Sequence, residues 1–456
     1  MLGLFFDLGS TFTKVIAFDL EKEEIIGRAK APSTVNTDVT IGLKSVLKEI
    51  FKQTGKKLDD FRFKRASSSA KGGLKIIAIG LVPDLTVEAA KRSALGAGGK
   101  VIKTYGFELT NYDLEEIETL KPDLIILAGG IDGGNKYYPL VNAKKLANMS
   151  LFVPIIYAGN REIAKEVEEI LKKGGKEVWV TENVMPEFGI LNTLPVQKYI
   201  REIFISKLIY AKGLEKAKKL VDDILLPTPL AVLKACEIFS KIFGETVLVD
   251  IGGATTDVCS ISHGKPTQNG VIWKGLPEPY VKRTVEGDLG VRVSALSLWD
   301  TVGENKWREL FKDLDLYKEK VKFLSENTDF LPNKDEDIYF DYILSYNAIK
   351  IAIERHCGYL EVLYTPMGAL YVQYGKDLTE VKNLIGTGGP LVYNPYNICA
   401  LKSALYDNAN PFSLKPKKPK IYLDKEYILF AIGLLSELFP DKANNILKKY
   451  LTEAIF

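Results

Sequence analysis

The chain is 456 residues long, room for roughly three domain-sized units at about 150 residues each. Its 61 Lys and Arg against 58 Asp and Glu leave a formal charge of +3, too even for a protein that grips nucleic acid through bulk charge. With 46% hydrophobic and 26% charged residues the composition is that of a globular chain with a sizeable core, and two histidines, His263 and His356, are too few for a histidine-built metal site.

Cys236, Cys259, Cys357 and Cys399 are scattered, without the close pairs of zinc or redox motifs, and read as reduced, mostly buried thiols. The apolar stretch from Tyr427 to Ser436 is about half of what a bilayer requires. At the N-terminus, Asp7 and Lys14 interrupt the apolar residues against the order of a signal peptide. A cytoplasmic protein without a membrane anchor is expected.

The chain opens with an apolar run from Leu2 to Phe6, Asp7, a Gly/Ser/Thr turn and a second apolar run from Val15 to Phe18, which predicts a β-hairpin. Ile41, Val46, Leu47, Ile50 and Phe51 predict a helix from about Thr40 to Thr54 that Gly55 can end. From Ala66 onward, strand-like runs at Leu74 to Leu81, Leu124 to Ala128, Val153 to Tyr157 and Val178 to Val180 alternate with helical patterns such as Arg161 to Lys172, and alternation of this kind favours a parallel sheet. A helical stretch from about Val196 to Leu225 follows. The opening pattern then returns at Thr246 to Val249, Asp250, a Gly/Ala/Thr turn and Val258, as in a duplicated fold. Lys415 to Lys420 reads as an exposed linker before two C-terminal helices.

In Asp7-Leu8-Gly9-Ser10-Thr11-Phe12-Thr13-Lys14, small residues let backbone N–H groups wrap an oligophosphate. Ser10, Thr11 and Thr13 carry hydroxyls, and Lys14 carries a charge for the β- or γ-phosphate. Asp7 is placed to hold Mg²⁺ through water. The second segment, Asp250-Ile251-Gly252-Gly253-Ala254-Thr255-Thr256-Asp257, supplies similar groups and a second carboxylate. One such hairpin is weak evidence, whereas two can clamp a phosphate chain from both sides.

The paired hairpins resemble the phosphate motifs of the actin, sugar kinase and heat-shock chaperone ATPase superfamily. Ile385-Gly386-Thr387-Gly388-Gly389-Pro390 looks like its adenosine motif, and Thr284 to Gly290, with Glu286 and Gly287, looks like the segment bordering the nucleotide in chaperone ATPases. The resemblance implies ATP and Mg²⁺ as cofactors and duplicated actin-like, ribonuclease H-like α/β lobes with an α/β insert in the first. The expected division is a first lobe of 1–66 and 182–243, an insert of 67–181, and a second lobe of 244–456 that includes the C-terminal helices. Asp7 and Asp250 are the metal candidates, and Asp7, Asp250 and Asp257 the catalytic ones. A Glu that precedes Pro-Thr in chaperone ATPases is replaced by Leu226 before Pro227-Thr228. That leaves Asp257 or Asp7, acting through water, or slow turnover.

Nearly the whole chain resembles the MutL/GlmL family encoded beside glutamate mutase, unrelated to the mismatch-repair protein of the same name. The resemblance is carried by Asp7 to Thr13, Ala66 to Leu74, Pro122 to Asn135 and Asp250 to Asp257. It implies an ATP-dependent chaperone or reactivating factor for an adenosylcobalamin-dependent mutase. Neither histidine has the Asp and Gly offsets of the mutases' cobalt-ligating loop, so direct cobalamin ligation is not expected. Rival readings are a hydantoinase or oxoprolinase A-type enzyme, a small-molecule kinase, and a non-hydrolysing actin-like scaffold. In the insert, Gly129 to Asn135 reads as a turn more readily than as a ligand site, with Asp132 and Asn135 the residues to test.

Overall fold

A computed structural model of the chain describes residues 1–9, 11–34, 38–68, 74–209, 220–366 and 368–454. The chain divides into two compact units, one of Gly73–Ile209 with Gly275–Pro277 and the other of the remaining segments.

In the larger unit, β1 (Leu2–Leu8), β2 (Phe12–Asp19), β3 (Glu24–Pro32) and β4 (Phe61–Ser68) form a sheet with α1 (Val39–Thr54) on one face. The Asp38 side chain accepts from Thr40 N at the start of α1, Gly55 at φ 67° closes it, and Leu43, Val46, Leu47 and Ile50 are its buried stripe.

The smaller unit carries β5 (Lys75–Gly80), β6 (Lys100–Gly106), β7 (Leu124–Leu127), β8 (Ile155–Tyr157) and β9 (Val178–Val180). Its helices are α2 (Glu88–Gly96), α3 (Asn111–Leu120), α4 (Tyr137–Asn148), α5 (Ala164–Lys173) and α6 (Leu194–Ile209). The strands are all parallel, in the order β6-β5-β7-β8-β9, a doubly wound arrangement. Runs such as Leu124–Leu127 are buried throughout, as expected of a sheet covered on both faces.

The larger unit resumes with β10 (Asp223–Pro227) and α7 (Thr228–Phe243). A second sheet begins with β11 (Thr246–Ile251) and β12 (Thr256–Ile261) and continues at β14 (Val281–Glu286), while the short β13 (Ile272–Lys274) between them in the chain belongs to a separate small sheet. Helices α8 (Ala295–Val302), α9 (Glu304–Leu310), α10 (Leu314–Glu326) and α11 (Asp335–His356) precede the hairpin of β15 (Tyr359–Thr365) and β16 (Gly368–Tyr374). Then come β17 (Asn383–Thr387), α12 (Gly389–Tyr393), α13 (Asn397–Leu401), β18 (Lys420–Leu423), α14 (Leu429–Ser436) and α15 (Pro440–Tyr450).

The two large sheets have one topology. The first runs β3-β2-β1-β4-β10 and the second β14-β12-β11-β17-β18. In each, the first three strands in chain order are antiparallel neighbours and the last two add in parallel. This is a duplicated, ribonuclease H-like α/β architecture of the actin-like kind, with α7 and α14 each leaving the fifth strand of its own sheet. Both helices lie in one core with Phe5, Ile16 and Phe18 of the first sheet and Leu248, Cys259 and Ile261 of the second.

Several boundaries differ from the sequence expectations. Ser67 and Ser68 are strand, paired with Asp7 and Leu8, so the first sheet extends past residue 66. Helix α6 clusters with the insert, so the insert extends beyond 181. Of the helix expected from about Val196 to Leu225, Leu194–Ile209 is helical, residues 210–219 lie outside the described residues, and Asp223–Pro227 is a strand that registers with β4.

The C-terminal helices do not belong to the second lobe alone. Helix α15 reaches the first sheet: Ile25 N donates to Tyr450 Oη at 2.9 Å, Lys442 Nζ to Leu20 O at 2.6 Å and Asn445 Nδ2 to Glu23 Oε1 at 3.0 Å. Lys415 to Lys420 is solvated only in part, with Lys417, Lys418 and Lys420 exposed. Lys415 is fully buried between Glu354 and Asp407, at 3.3 and 2.8 Å, and Lys420 begins β18.

Candidate functional site

The two hairpins are equivalent residue for residue. Asp7 pairs with Lys14 and Leu8 with Thr13, as Asp250 pairs with Asp257 and Ile251 with Thr256. Both tips are closed the same way, by Gly9 N donating to Phe12 O at 3.1 Å and Gly252 N donating to Thr255 O at 2.9 Å. A Cβ on Gly9 would meet Phe12 O at 2.6 Å, so this hairpin requires the glycine. The tips also face each other: a Cβ on Gly253 would lie 3.8 Å from Thr11 Oγ1. Lys14 and Asp257 hold the same register position with opposite charge.

Strand alternation sorts the candidates. Asp7 and Lys14 share the face of Phe5, Ile16 and Phe18, and Asp250 shares that of Leu248; both faces border the core around α7 and α14. Asp7 is buried, accepts from Thr228 Oγ1 at 2.7 Å, and has Lys14 Nζ 3.6 Å from Oδ2. Thr228 Oγ1 also lies 3.1 Å from Ser67 Oγ. Burial raises the Asp7 carboxyl, with Lys14 and Thr228 opposing; burial lowers Lys14, with Asp7 and Asp250 opposing.

The Asp250 side chain has no hydrogen-bond or ion-pair partner among the described residues. Its carboxyl is pushed up to about 7, first by burial and then by Asp257, with Lys14 opposing and Asp7 and Asp424 adding. The folded chain thus holds a proton that the unfolded carboxyl, near 3.8, has released. Asp250 therefore costs the ligand-free fold stability as pH rises from the unfolded value to the folded one. The melting temperature of wild type relative to Asp250→Asn is expected to fall between about pH 4 and about pH 7 and to level off above; parallel curves would exclude this.

Other candidates face away from the site or are held by other groups. Thr13 is buried on the opposite face, where a Cβ on Gly42 of α1 would come within 2.8 Å of its hydroxyl. Thr256 Oγ1 donates to Leu289 O at 2.6 Å. The Asp257 carboxylate is bound by Arg283, Nε to Oδ1 at 2.9 Å, and accepts from Thr255 Oγ1 at 3.1 Å. Glu286 pairs with Arg355 at 2.8 Å, while Gly287 O and Ala254 O accept from Ser294 Oγ, both at 2.8 Å. Ser10 lies outside the described residues, as do positions 69–73 of the insert motif.

In the stretch read as an adenosine motif, Gly386 packs on Leu391 and Leu401, and Thr387 Oγ1 donates to Asp424 Oδ2 at 2.9 Å. Gly388 has φ 100°, and a Cβ there would meet Ile251 O at 2.0 Å and Asp250 Oδ1 at 2.9 Å, so it carries the second hairpin directly. Gly389 alone faces open space.

Sequence reasoning missed Asp424, Tyr427 and the pair Arg292–Asp341. Asp424 had a signal, since Ile421-Tyr422-Leu423-Asp424 repeats the apolar strand ending in Asp seen at Asp7 and Asp250. Arg292 supports the second hairpin: its N donates to Gly253 O at 2.8 Å, and its guanidinium grips Asp341 with bonds of 2.9 and 2.6 Å. Both residues are buried, so Asp341→Ala leaves a buried cation unpaired. We expect a loss of about 3–5 kcal/mol in urea unfolding; a loss below about 1 kcal/mol would show that water pairs the guanidinium instead.

The donor set suits a phosphate chain with a hydrated cation. Lys14 supplies charge, the glycine at 253 leaves the gap between the tips open, and Asp250 is an uncommitted carboxylate. Among the described residues no group of three or more His, Cys, Asp or Glu could hold a metal ion.

The insert loop Gly129 to Asn135 is spoken for internally. Asn183 Nδ2 donates to Gly130 O and Asp132 Oδ1, both at 3.0 Å, Asn160 Nδ2 donates to Gly134 O at 3.2 Å, and Asn135 Oδ1 accepts from Tyr138 N at 3.1 Å. His356 is buried between Ser260 and Thr284, at 2.8 and 2.9 Å, and its pKa falls well below 6.5, chiefly through burial. Cys236, Cys259 and Cys357 are buried and Cys399 is exposed. No helix among the described residues is long and apolar enough to cross a membrane.

Residues 3–451 match the family described as MutL protein. "Protein MutL" of Clostridium tetanomorphum is 47% identical over 459 residues, with 99% of each chain covered. Among solved structures, a nucleotide-free acetone carboxylase overlays 95% of this chain and 70% of its own at 13% identity and TM-score 0.41. Component A of the Acidaminococcus fermentans (R)-2-hydroxyglutaryl-CoA dehydratase overlays 97% and 99% at 11% identity and TM-score 0.36.

Proposed function

The chain belongs to the MutL protein family, and on that premise we propose that it is a nucleotide-driven chaperone that reactivates an adenosylcobalamin-dependent mutase. The observation that carries the nucleotide part is the uncommitted carboxylate of Asp250, in a hairpin whose tip faces that of Lys14. Lys14, Thr11 and the tip backbones would bind the phosphates of ATP, and Asp7 and Asp250 would hold the waters of Mg²⁺. When bound, Mg²⁺·ATP supplies the phosphoanhydride whose cleavage drives the cycle.

Asp250, whose carboxylate no other side chain claims, is the carboxylate best placed to orient water. Asp257 is less suited, being tied to Arg283. The same tie weighs against a kinase that would use Asp257 as base toward a substrate hydroxyl. Leu226, buried where chaperone ATPases carry Glu, fits slow turnover and a switch. Because each hairpin sits on its own sheet, phosphate bridging both would favour their approach.

The mutase partner rests on the family resemblance. Its test is capture from an anaerobic lysate with and without ATP, followed by reactivation of the captured enzyme. ATP-dependent recovery of a cobalamin mutase supports the proposal. Capture of no cobalamin enzyme, together with ATP turnover stimulated by a lactam, would favour a hydantoinase-like enzyme.

A further inference from the structure

The turn between β18 and α14 belongs by connectivity to the second sheet, yet two of its side chains reach the first. Glu426 pairs with Arg28 on β3. The ring of Tyr427 lies under Lys14, with Nζ 3.5 Å from the ring centroid. Tyr427 is also one of the few described non-glycine residues at positive φ, 55°, a conformation disfavoured for a bulky side chain. The turn is pinned around it. Asp424 accepts from Ile428 N at 2.8 Å and Leu429 N at 3.2 Å, while Tyr427 N donates to Asp424 O at 3.0 Å. A strained residue held by its neighbours and presenting its ring to a functional cation has a reason beyond packing.

Lys14 explains that reason. Its ammonium is 3.6 Å from Asp7 Oδ2, at the long end of an ion pair, on a flexible four-carbon stem. Without a second contact it would settle onto Asp7, and its charge would be spent there. An aromatic face attracts an ammonium and leaves its remaining N–H donors free.

We propose that Tyr427 is a positioning residue that seats Lys14 for phosphate, so that phosphate binding at the first hairpin depends on a turn of the second sheet. This rests on the nucleotide reading above. The contact lies across the two sheets, so Lys14 is correctly placed only while the turn is docked against the first sheet. Adenosine, which has no phosphate for Lys14 to meet, is indifferent to Tyr427.

The experiment is calorimetric titration of the full chain with Mg²⁺·ATP and with adenosine, for wild type, Tyr427→Leu, Tyr427→Phe, Lys14→Ala and Lys14→Ala/Tyr427→Leu. Tyr427→Leu is expected to weaken ATP roughly tenfold and leave adenosine within about twofold. Tyr427→Phe, which keeps the ring, restores ATP binding. In the Lys14→Ala background the Leu substitution has no further effect, because the two act as a pair. Equal loss of ATP and adenosine in Tyr427→Leu, or the same ATP loss with Lys14 absent, would make Tyr427 merely structural and overturn the proposal. Wild type that binds neither ligand would overturn the nucleotide reading and this proposal with it. Wild type that binds both, with Tyr427→Leu unchanged, would overturn this proposal alone.

Discussion

Asp250→Asn is expected to cut Mg²⁺·ATP turnover by about 10²- to 10⁴-fold, the range of a positioned base, while leaving the ligand-free protein no less stable than wild type. The two effects have one cause. Asp250 faces Asp257, Asp7 and Asp424 with Lys14 opposing, so its negative charge is unwelcome until a cation arrives. Asparagine keeps the shape and removes the charge. Asp7→Asn should lose turnover as deeply but also lose stability, because it leaves Lys14 without its nearest carboxylate and alters the bond from Thr228. Phosphate release and thermal unfolding of both variants check this. Retained turnover in both would break the two-hairpin site, and a marked loss of stability in Asp250→Asn would mean that its carboxylate is already neutralised by a group outside the described residues.

The two hairpins were legible because a strand, an Asp, a small-residue turn and a strand must follow one another in the chain, and both copies survive duplication in register. The insert's strands were legible where burial on both faces makes them continuously apolar, as at Leu124–Leu127. What escaped was set by partners distant in sequence. Ser67 and Ser68 look like loop residues until β4 is laid beside Asp7 and Leu8. Lys415 looks solvated until Glu354 and Asp407 neutralise it. Thr13 and Thr256 carry the right hydroxyls for a phosphate loop, but the period of two turns them away from Asp7 and Asp250. No local pattern could show that Arg283 claims Asp257, or that Gly388 is required by the second hairpin itself.

Gly433→Ala is the substitution expected to damage the fold most. Helix α14 is apolar almost all round, with Leu429 to Leu435 buried, which marks a central helix. Its Gly433 rests on the backbone of α7: a Cβ there would lie 1.9 Å from Ala231 O, 2.5 Å from its C and 2.8 Å from its Cα. All three are backbone atoms, so neither a rotamer change nor trimming Ala231 to glycine can relieve the clash. The helices must part by roughly an ångström, which opens the core they share with both sheets, and overpacking without a flexible neighbour lies at the severe end of such effects. We expect a loss of about 4 kcal/mol or more in urea unfolding. The site should suffer as well, because α7 begins at Thr228, which holds Asp7, and α14 begins just after Asp424, which holds Thr387. Nucleotide binding measured well below the unfolding transition is therefore expected to weaken, and Ala231→Gly in the same chain should restore neither property. Full stability in Gly433→Ala would mean that the two helices separate freely, and that their close crossing does not set the spacing of the hairpins.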